Sequence, residues 1–317
     1  MTTLAKDPGR DLRLTRRQRR LKKILCNWQL YLFLLPAIAY FLIFRYYPML
    51  GLQIAFKKYK ANVGMWASPR EGMKYFNQFF RGPNFTRLLT NTLMISVGTM
   101  LISFPVPVLL ALLLNQMPSK RYKKLVQTTI YAPHFISTVV LVGMIFLFFS
   151  PRNGVVNHLI AALGGDRIHF MGEPSWFRPL YIGSDIWQNA GWGSIIYLAA
   201  LSNINPELHE AAIMDGANKY QRVWHIDLPG ILPTVVIMFI LNAGKVMTVG
   251  FDKAYLMKNE LNASVSEIIA VHVYQRGLLD NQPSYSTAVG MFESVVNLVL
   301  ITTVNFISKK VSDSSLF

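Results

Sequence analysis

Four polar or aromatic side chains lie close together within an otherwise apolar stretch of the chain. Asp185, Gln188, Asn189 and Trp192 are separated by three, one and three positions, so the carboxylate, an amide and the indole share one face of a helix. Carboxylates and amides exchange hydrogen bonds with hydroxyl groups, and an apolar ring packs on the C–H surface of a sugar. The face has the chemistry of a sugar site, although each side chain would also serve helix packing.

A second pair recurs at helical spacing in a later apolar segment. Asn242 and Lys245 are three positions apart, and the ammonium of Lys245 suits an acidic sugar. Polar groups inside apolar segments are costly, so they commonly face a cavity, a partner or a pathway. The alternative for Asn242 is a hydrogen bond that joins two packed helices.

The composition places these residues in a membrane protein. Of the 317 residues, 52% are hydrophobic and 15% are charged, whereas soluble domains carry about 25% charged residues. The formal net charge is +16, but the basic residues stand in short blocks beside apolar segments. That distribution is typical of membrane flanks and argues against a nucleic-acid partner.

Six segments approach the roughly 20 mostly apolar residues that a helix needs to cross a bilayer. We therefore predict an all-α integral membrane fold with six transmembrane helices. The predicted spans are residues 29–52, 88–114, 128–149, 180–201, 231–250 and 287–307. The fourth and fifth are the most polar, which indicates that they line something other than lipid.

The flanking charges predict the orientation and the domains. The densest Lys and Arg clusters lie before Trp28 and between residues 120 and 124, and basic flanks stay in the cytoplasm. We divide the chain into a basic cytoplasmic N-terminal tail, residues 1–28, and a six-span domain, residues 29–317. Both termini and a charged loop at about 203–230 are then cytoplasmic, and residues 264–279 are expected to form a helix that lies on the outer surface or dips in.

The charged loop has the signals of helix, bend and helix. Asn205 is a good cap, Pro206 fits the first helical position, and Gly216 can take the positive φ that ends a helix. The spacing predicts a first helix over 206–214 and a second over 218–226. Proline interrupts the backbone hydrogen bonds of a helix, so we expect the second helix to stop at Leu228 and Pro229.

The stretch EAAIMDGANKYQRVWHIDLP resembles the EAA loop of permease subunits of type I ATP-binding-cassette (ABC) importers. The matching positions are Glu210, Ala211, Ala212, Asp215, Gly216, Ala217, Ile226, Leu228 and Pro229. The resemblance implies that this loop is a coupling helix, docked in a groove of the ATPase. An ordinary amphipathic loop helix is the alternative.

The resemblance extends over about residues 25–315 and is strongest to carbohydrate permeases of the MalF-like branch. It is carried by LFLLPAIAYFLIFRYYPMLG, YAPHFISTVVLVGMIF, IWQNAGWGSIIYLAALSNINPELHEAA and TAVGMFESVVNLVLI. It implies that the 185–192 face and His134 bind the saccharide. The chain lacks the large external domain and the additional N-terminal spans of MalF, so functions tied to those parts do not transfer.

The same resemblance implies the partners. These are a second homologous permease, an ATPase dimer that binds ATP and Mg²⁺, an extracytoplasmic substrate-binding protein, a saccharide and the lipid bilayer. The chain itself is expected to be no enzyme and to bind no cofactor or metal. It lacks the GxxxxGK[ST] pattern, and HEAAI has Ile213 where a zinc-protease motif requires histidine.

Two alternatives remain open from the sequence. One is an ABC permease for a solute other than a sugar, and the other is a self-contained secondary carrier. Secondary carriers commonly show internal repeats, and none is visible between the predicted spans. A docking loop also has no purpose in a carrier that works alone.

Overall fold

The computed structural model describes residues 27–248 and 250–311. Regular structure in these ranges is helical, apart from one isolated bridge between Lys57 and Arg70. The main helices are α1 (Trp28–Phe56), α2 (Phe85–Asn115), α3 (Lys120–Phe135), α4 (Thr138–Phe148), α5 (Pro174–Ser202), α6 (Pro206–Met214), α7 (Lys219–Ala243), α8 (Phe251–Met257), α9 (Ile269–Tyr274) and α10 (Pro283–Val311). Shorter helices are Gly64–Ala67, Lys74–Phe80, Val155–Ala162 and Ala263–Ser266. Of the predicted tail, only Asn27 and Trp28 lie within the described residues.

The predicted all-α membrane fold is confirmed, but the count of six spans is not. Four helices are long and apolar enough to cross a membrane, namely α1, α2, α7 and α10. The bent pair of α3 and α4 gives a fifth candidate if the two are counted together. Helix α5 has 29 residues but is too polar to be counted with them.

The third predicted span, residues 128–149, is wrong as a single straight helix. Helices α3 and α4 meet at 98°, and a 3-10 turn, Ala132–Phe135, ends α3. Pro133 removes a backbone donor at this turn. The chain then extends at Ser137, whose hydroxyl accepts a hydrogen bond of 3.4 Å from the N–H of Val140. That cap starts α4 in a new direction.

The predicted stop at Leu228 and Pro229 is also wrong, because α7 runs from Lys219 through both residues. A π-helical turn, Val223–Asp227, precedes the proline, and the N–H of Leu228 donates to the carbonyl of Val223, five residues earlier. This local change in hydrogen bonding lets the helix pass the residue that lacks a donor.

Two other boundaries differ from the prediction. Helix α7 ends at Ala243, so the fifth span stops short of the predicted residue 250. The outer helix predicted over 264–279 is divided: Ala263–Ser266 is followed by α9, and a π-helical turn, Gln275–Leu279, continues α9. Ala263–Ser266 packs on α5 and α2, and α9 also contacts α2, so the two parts of the divided helix pack on the membrane-type helices.

Helix α5 is the centre of the packing. It contacts α2, α3 and α7, and its Tyr197 and Leu201 are buried with Leu112 of α2 and Ile231 of α7. Glycine allows the closest approach, because a Cβ at Gly191 would overlap the backbone carbonyl of a residue in α3. By contrast, the apolar side chains of α1 are largely exposed, as expected for a helix in contact with lipid or another subunit.

Candidate substrate cavity and coupling loop

A cavity of about 550 Å³ lies between α2, α5, α7 and the segment that leads into α8. Its size falls within the range of small-molecule sites, roughly 300–1,000 Å³. Both apolar and polar side chains line it, and the polar ones come from different elements. They include Ser96, Thr99 and Ser103 of α2, Asp185, Gln188 and Asn189 of α5, Asn242 of α7, and Lys245, Thr248, Asp252 and Lys253 beyond α7.

Hydrogen bonds connect the polar face of α5 to the corner between α3 and α4. The side chain of Asn189 donates to Asp185 Oδ1 at 2.9 Å, and its Oδ1 lies 3.1 Å from Nδ1 of His134. Since an amide oxygen only accepts, Nδ1 carries the proton in this arrangement. Gln188 donates to the carbonyl of Ile136 at 2.8 Å. Asp185, Gln188 and Asn189, three of the predicted substrate residues on α5, also line the cavity.

The aromatic candidate of that face, Trp192, lies outside the cavity, beside His134. Trp192 and His134 do not line the cavity; their rings stack nearly parallel, with centroids 4.7 Å apart and planes 5° apart. Phe135 meets the indole edge-on at 5.6 Å. Because Trp192 is 44% exposed, the stack is an accessible aromatic surface, which Asn189 connects to the cavity.

The two candidates from the end of α7 both line the cavity. The amide nitrogen of Asn242 donates to the carbonyl of Met238 in its own helix at 2.8 Å, and among the described residues no donor is hydrogen-bonded to its side-chain oxygen. Lys245 lies in the turn beyond Ala243 and is exposed. Both side chains can therefore reach a molecule in the cavity.

Three residues of α2 and one lysine beyond α7 line the cavity but were missing from the predicted site. Ser96, Thr99 and Ser103 of α2 stand at helical spacing in an apolar span, and that signal is in the sequence. Lys253 is different: it lies in a short helix beyond the span and reads as a solvated charge, yet only 6% of it is exposed. Only the fold shows that it turns inward toward Tyr181 of α5.

The coupling loop is built on strong local signals. The side chain of Asn205 accepts a hydrogen bond from the N–H of Glu207 at 3.1 Å, which caps α6. At the other end Gly216 has φ of +80°, and the N–H of Ala217 donates to the carbonyl of Ala212 at 2.8 Å. This is a Schellman ending, which glycine at that position permits. The predicted first helix, 206–214, is confirmed.

The seven predicted coupling residues fall on two elements. Helix α6 carries Glu210, Ala211 and Ala212, and its C-terminal turn carries Asp215 and Gly216; apart from half-buried Ala212, these residues are exposed. Leu228 and Pro229 instead lie within α7. The exposed part of α6 combines Glu210 with the apolar side chains of Leu208, Ile213 and Met214, and another protein can contact this surface.

A buried carboxylate anchors this loop. Asp227 is fully buried, and one of its oxygens accepts a hydrogen bond of 2.8 Å from the amide of Gln116, the residue after α2. The other oxygen lies 3.3 Å from Nε2 of His209 on α6. Asp227 therefore joins the coupling helix, the end of α2 and the start of α7, although no motif in the sequence indicates this role.

In the described ranges, no group of three or more His, Cys, Asp or Glu side chains is arranged to hold a metal ion.

The comparison with protein families is decisive for the class of protein. Residues 103–313 match the family described as the binding-protein-dependent transport system inner membrane component. The chain belongs to this family. The predicted permease class is thereby confirmed, and the chain is a multi-pass membrane component of a transport system, not an enzyme.

Individual relatives agree over nearly the whole length. The protein LplB of Bacillus subtilis is 47% identical over 288 residues, 91% of each chain. The polygalacturonan/rhamnogalacturonan transport system permease protein YteP of the same organism is 44% identical over 95% of this chain and 94% of its own. A solved bacterial alginate ABC transporter, in complex with alginate pentasaccharide-bound periplasmic protein, matches with a TM-score of 0.86 and 41% identity, covering 93% of this chain and 99% of that one.

Proposed function

We propose that this chain carries an oligo- or polysaccharide across the cell membrane, paired with a second, homologous permease. The observation that carries the proposal is the cavity, in which hydroxyl, amide and carboxylate side chains of α2, α5 and α7 surround one space. Such groups match the hydroxyls of a sugar as donors and acceptors. The saccharide systems named for YteP and for the alginate transporter support the same class of substrate.

The substrate residues in this proposal are those of the cavity and of the adjoining aromatic stack. Asp185, Gln188, Asn189, Asn242 and Lys245 contact the sugar from the cavity wall. His134 and Trp192 provide the flat surface beside it. An extracytoplasmic binding protein delivers the saccharide, as the complex of the alginate transporter suggests.

The driving force comes from an ATPase dimer that binds ATP and Mg²⁺ on the cytoplasmic side, where both termini of this chain and the coupling loop lie. Helix α6 docks in the ATPase through Glu210, Ala211, Ala212 and the Asp215–Gly216 turn. Closure of the ATPase dimer then moves α6 and shifts the population between inward- and outward-facing cavities. Leu228 and Pro229 couple that movement to α7, in which they lie.

Exchange of Glu210 for Lys tests the docking role. In proteoliposomes that contain the whole transporter, we expect Glu210→Lys to lower ATP-dependent uptake about tenfold or more, the factor for roughly 1.4 kcal/mol, or to release the ATPase. Glu260→Lys is the matched control, because it makes the same charge change at an exposed residue of the segment predicted to be external. Normal uptake by Glu210→Lys would refute the docking role.

A panel of saccharides, peptides and other small metabolites tests the substrate class in the same proteoliposomes. ATP-dependent uptake of a saccharide supports the proposal. Uptake of another class alone would replace the carbohydrate assignment and leave the permease class standing. Uptake by this chain without its partners would instead indicate a secondary carrier.

A further inference from the structure

Lys253 is a buried cation in the wall of the cavity. Its side chain lines the cavity, and only 6% of the residue is exposed. Its Nζ donates a hydrogen bond of 2.7 Å to the carbonyl of Tyr181 and lies 4.5 Å from the centroid of that ring. An ammonium has three N–H donors, and the bond to Tyr181 occupies one of them.

The charge of Lys253 has no direct counterion in the described part of the chain, where no carboxylate lies within ion-pair distance of Nζ. Asp185 acts on it only at longer range, and that carboxylate already accepts a hydrogen bond from Asn189. Asp252 lines the cavity as well but is exposed. A buried charge without a close partner is costly, so an anionic ligand in the cavity would complete this site.

A second cation lines the same cavity. Lys245 is exposed at the turn beyond α7, so the cavity presents one buried, hydrogen-bonded ammonium and one exposed ammonium. The single buried ammonium of Lys253 can neutralise one negative charge, and the second charge of a phosphate would be left facing Asp185 and Asp252 in the same wall. The arrangement therefore favours a carboxylate among many hydroxyl groups.

We propose that Lys253, assisted by Lys245, forms a carboxylate-binding subsite, so that the transported saccharide contains uronic acid residues. This inference rests on the proposed function, since it assigns the substrate class of the same cavity. Lys253 is then a specificity-determining residue. A hydrogen bond to a charged group contributes about 1.5–3 kcal/mol, which corresponds to roughly tenfold to a hundredfold in affinity.

The test compares uptake of tetragalacturonate with uptake of its methyl ester, which has the same length but no charge. The whole transporter in proteoliposomes is used, with one binding protein for all variants. We expect Lys253→Gln to lower uptake of the acid about tenfold and to leave uptake of the ester within about twofold. The glutamine amide can keep the hydrogen bond to Tyr181, so the variant should assemble.

Two variants make the interpretation specific. Lys253→Arg retains the charge and should restore most of the preference for the acid, whereas Lys58→Gln removes a lysine that is exposed and outside the cavity and should change neither substrate. Lys245→Gln, also at an exposed position, should show the same selective loss to a smaller degree. It provides a second test if Lys253→Gln does not assemble.

The subsite is refuted if Lys253→Gln, or in its place Lys245→Gln, lowers uptake of the acid and the ester equally, or lowers neither. That outcome leaves the saccharide permease intact. Failure of the proposed function looks different: the wild-type transporter would then take up neither form of the saccharide while it transports a solute of another class.

Discussion

The cavity wall and the coupling loop are held together by different kinds of contacts. At the cavity, the hydrogen bond between Asn189 of the wall and His134 behind it joins residues 55 positions apart. In the loop, Asn205 and Asn218 cap their helices by accepting hydrogen bonds from N–H groups two and three residues later. The loop helices are thus specified by adjacent residues, whereas the cavity exists only when distant segments are packed.

The difference suggests how each region behaves during transport. Helix α6 is capped at Asn205 and closed at Gly216, so it can move as one rigid unit. The cavity side chains share hydrogen bonds across separate elements, and those bonds can be exchanged when the elements move. Asp227 lies where the two regions meet. It contacts His209 of α6 and Gln116 at the end of α2, and an earlier part of α2 lines the cavity.

The largest effect is expected from Gly191→Ala, where α5, which carries the polar face of the cavity, packs on α3. The added methyl group would overlap the backbone carbonyl of Ile130, and a backbone atom cannot move aside as a flexible side chain does. Overpacking costs about 1–3 kcal/mol, occasionally more, so we expect little assembled transporter by size-exclusion chromatography. Gly193→Ala is the matched control, since its Cβ would lie 3.1 Å from the ring of Pro107. Equal loss in both variants would contradict this account.

An intermediate effect is expected from Asp227→Ala at the anchor of the loop. The change leaves the amide of Gln116 without its buried acceptor, which costs about 1–3 kcal/mol, and it releases His209 of α6. We expect a lower midpoint of thermal unfolding and weaker coupling of ATP hydrolysis to uptake. The exposed Asp215→Ala should leave the midpoint nearly unchanged. If Asp227→Ala has wild-type stability and coupling, the loop does not depend on this anchor.

The local signals made α6 predictable from the sequence. Its cap at Asn205 and its ending at Gly216 depend only on neighbouring residues, and both are found where predicted. The same reasoning failed at Pro229, because a proline was expected to stop the helix. The π-helical turn at Val223–Asp227 has no comparable sequence signal, so the continuation of α7 could not be foreseen.

Periodicity placed the polar face of α5 correctly but not its surroundings. Asp185, Gln188 and Asn189 line a cavity, whereas Trp192 stacks on His134 at the bend between α3 and α4. That bend was missed although Pro133 and Ser137 are signals of it in the sequence, because the count of about 20 mostly apolar residues was carried through them. Lys253 was missed for a different reason. Its burial depends on contact with Tyr181, 72 positions away, and the residues next to Lys253 in the sequence do not indicate that contact.

The smallest effect is expected at the end of α2 that is predicted to be external, where another long-range contact supports the cavity helices. Glu267 accepts a hydrogen bond of 2.7 Å from Arg87 at the start of α2, and Lys258 and His272 lie close to it. The pKa of Glu267 is lowered chiefly by its interaction with His272 and further by Lys258 and Arg87, while burial opposes them. Its ionised form is thus favoured in the folded protein.

A lowered pKa stabilises the folded state above the unfolded value of about 4.3, and this contribution is lost as the pH falls through the folded value. Wild-type transporter should therefore keep this contribution from pH 7 down to about 4.3 and lose it on further acidification, and Glu267→Gln should lose less thermal stability over that lower range. Because Arg87 is 43% exposed, solvent screening limits the difference to the order of 1 kcal/mol. Glu260→Gln, at an exposed position, should follow the wild type. Parallel curves for Glu267→Gln and wild type would show that this long-range contact contributes nothing measurable, and the contrast between the two regions would then rest on buried contacts alone.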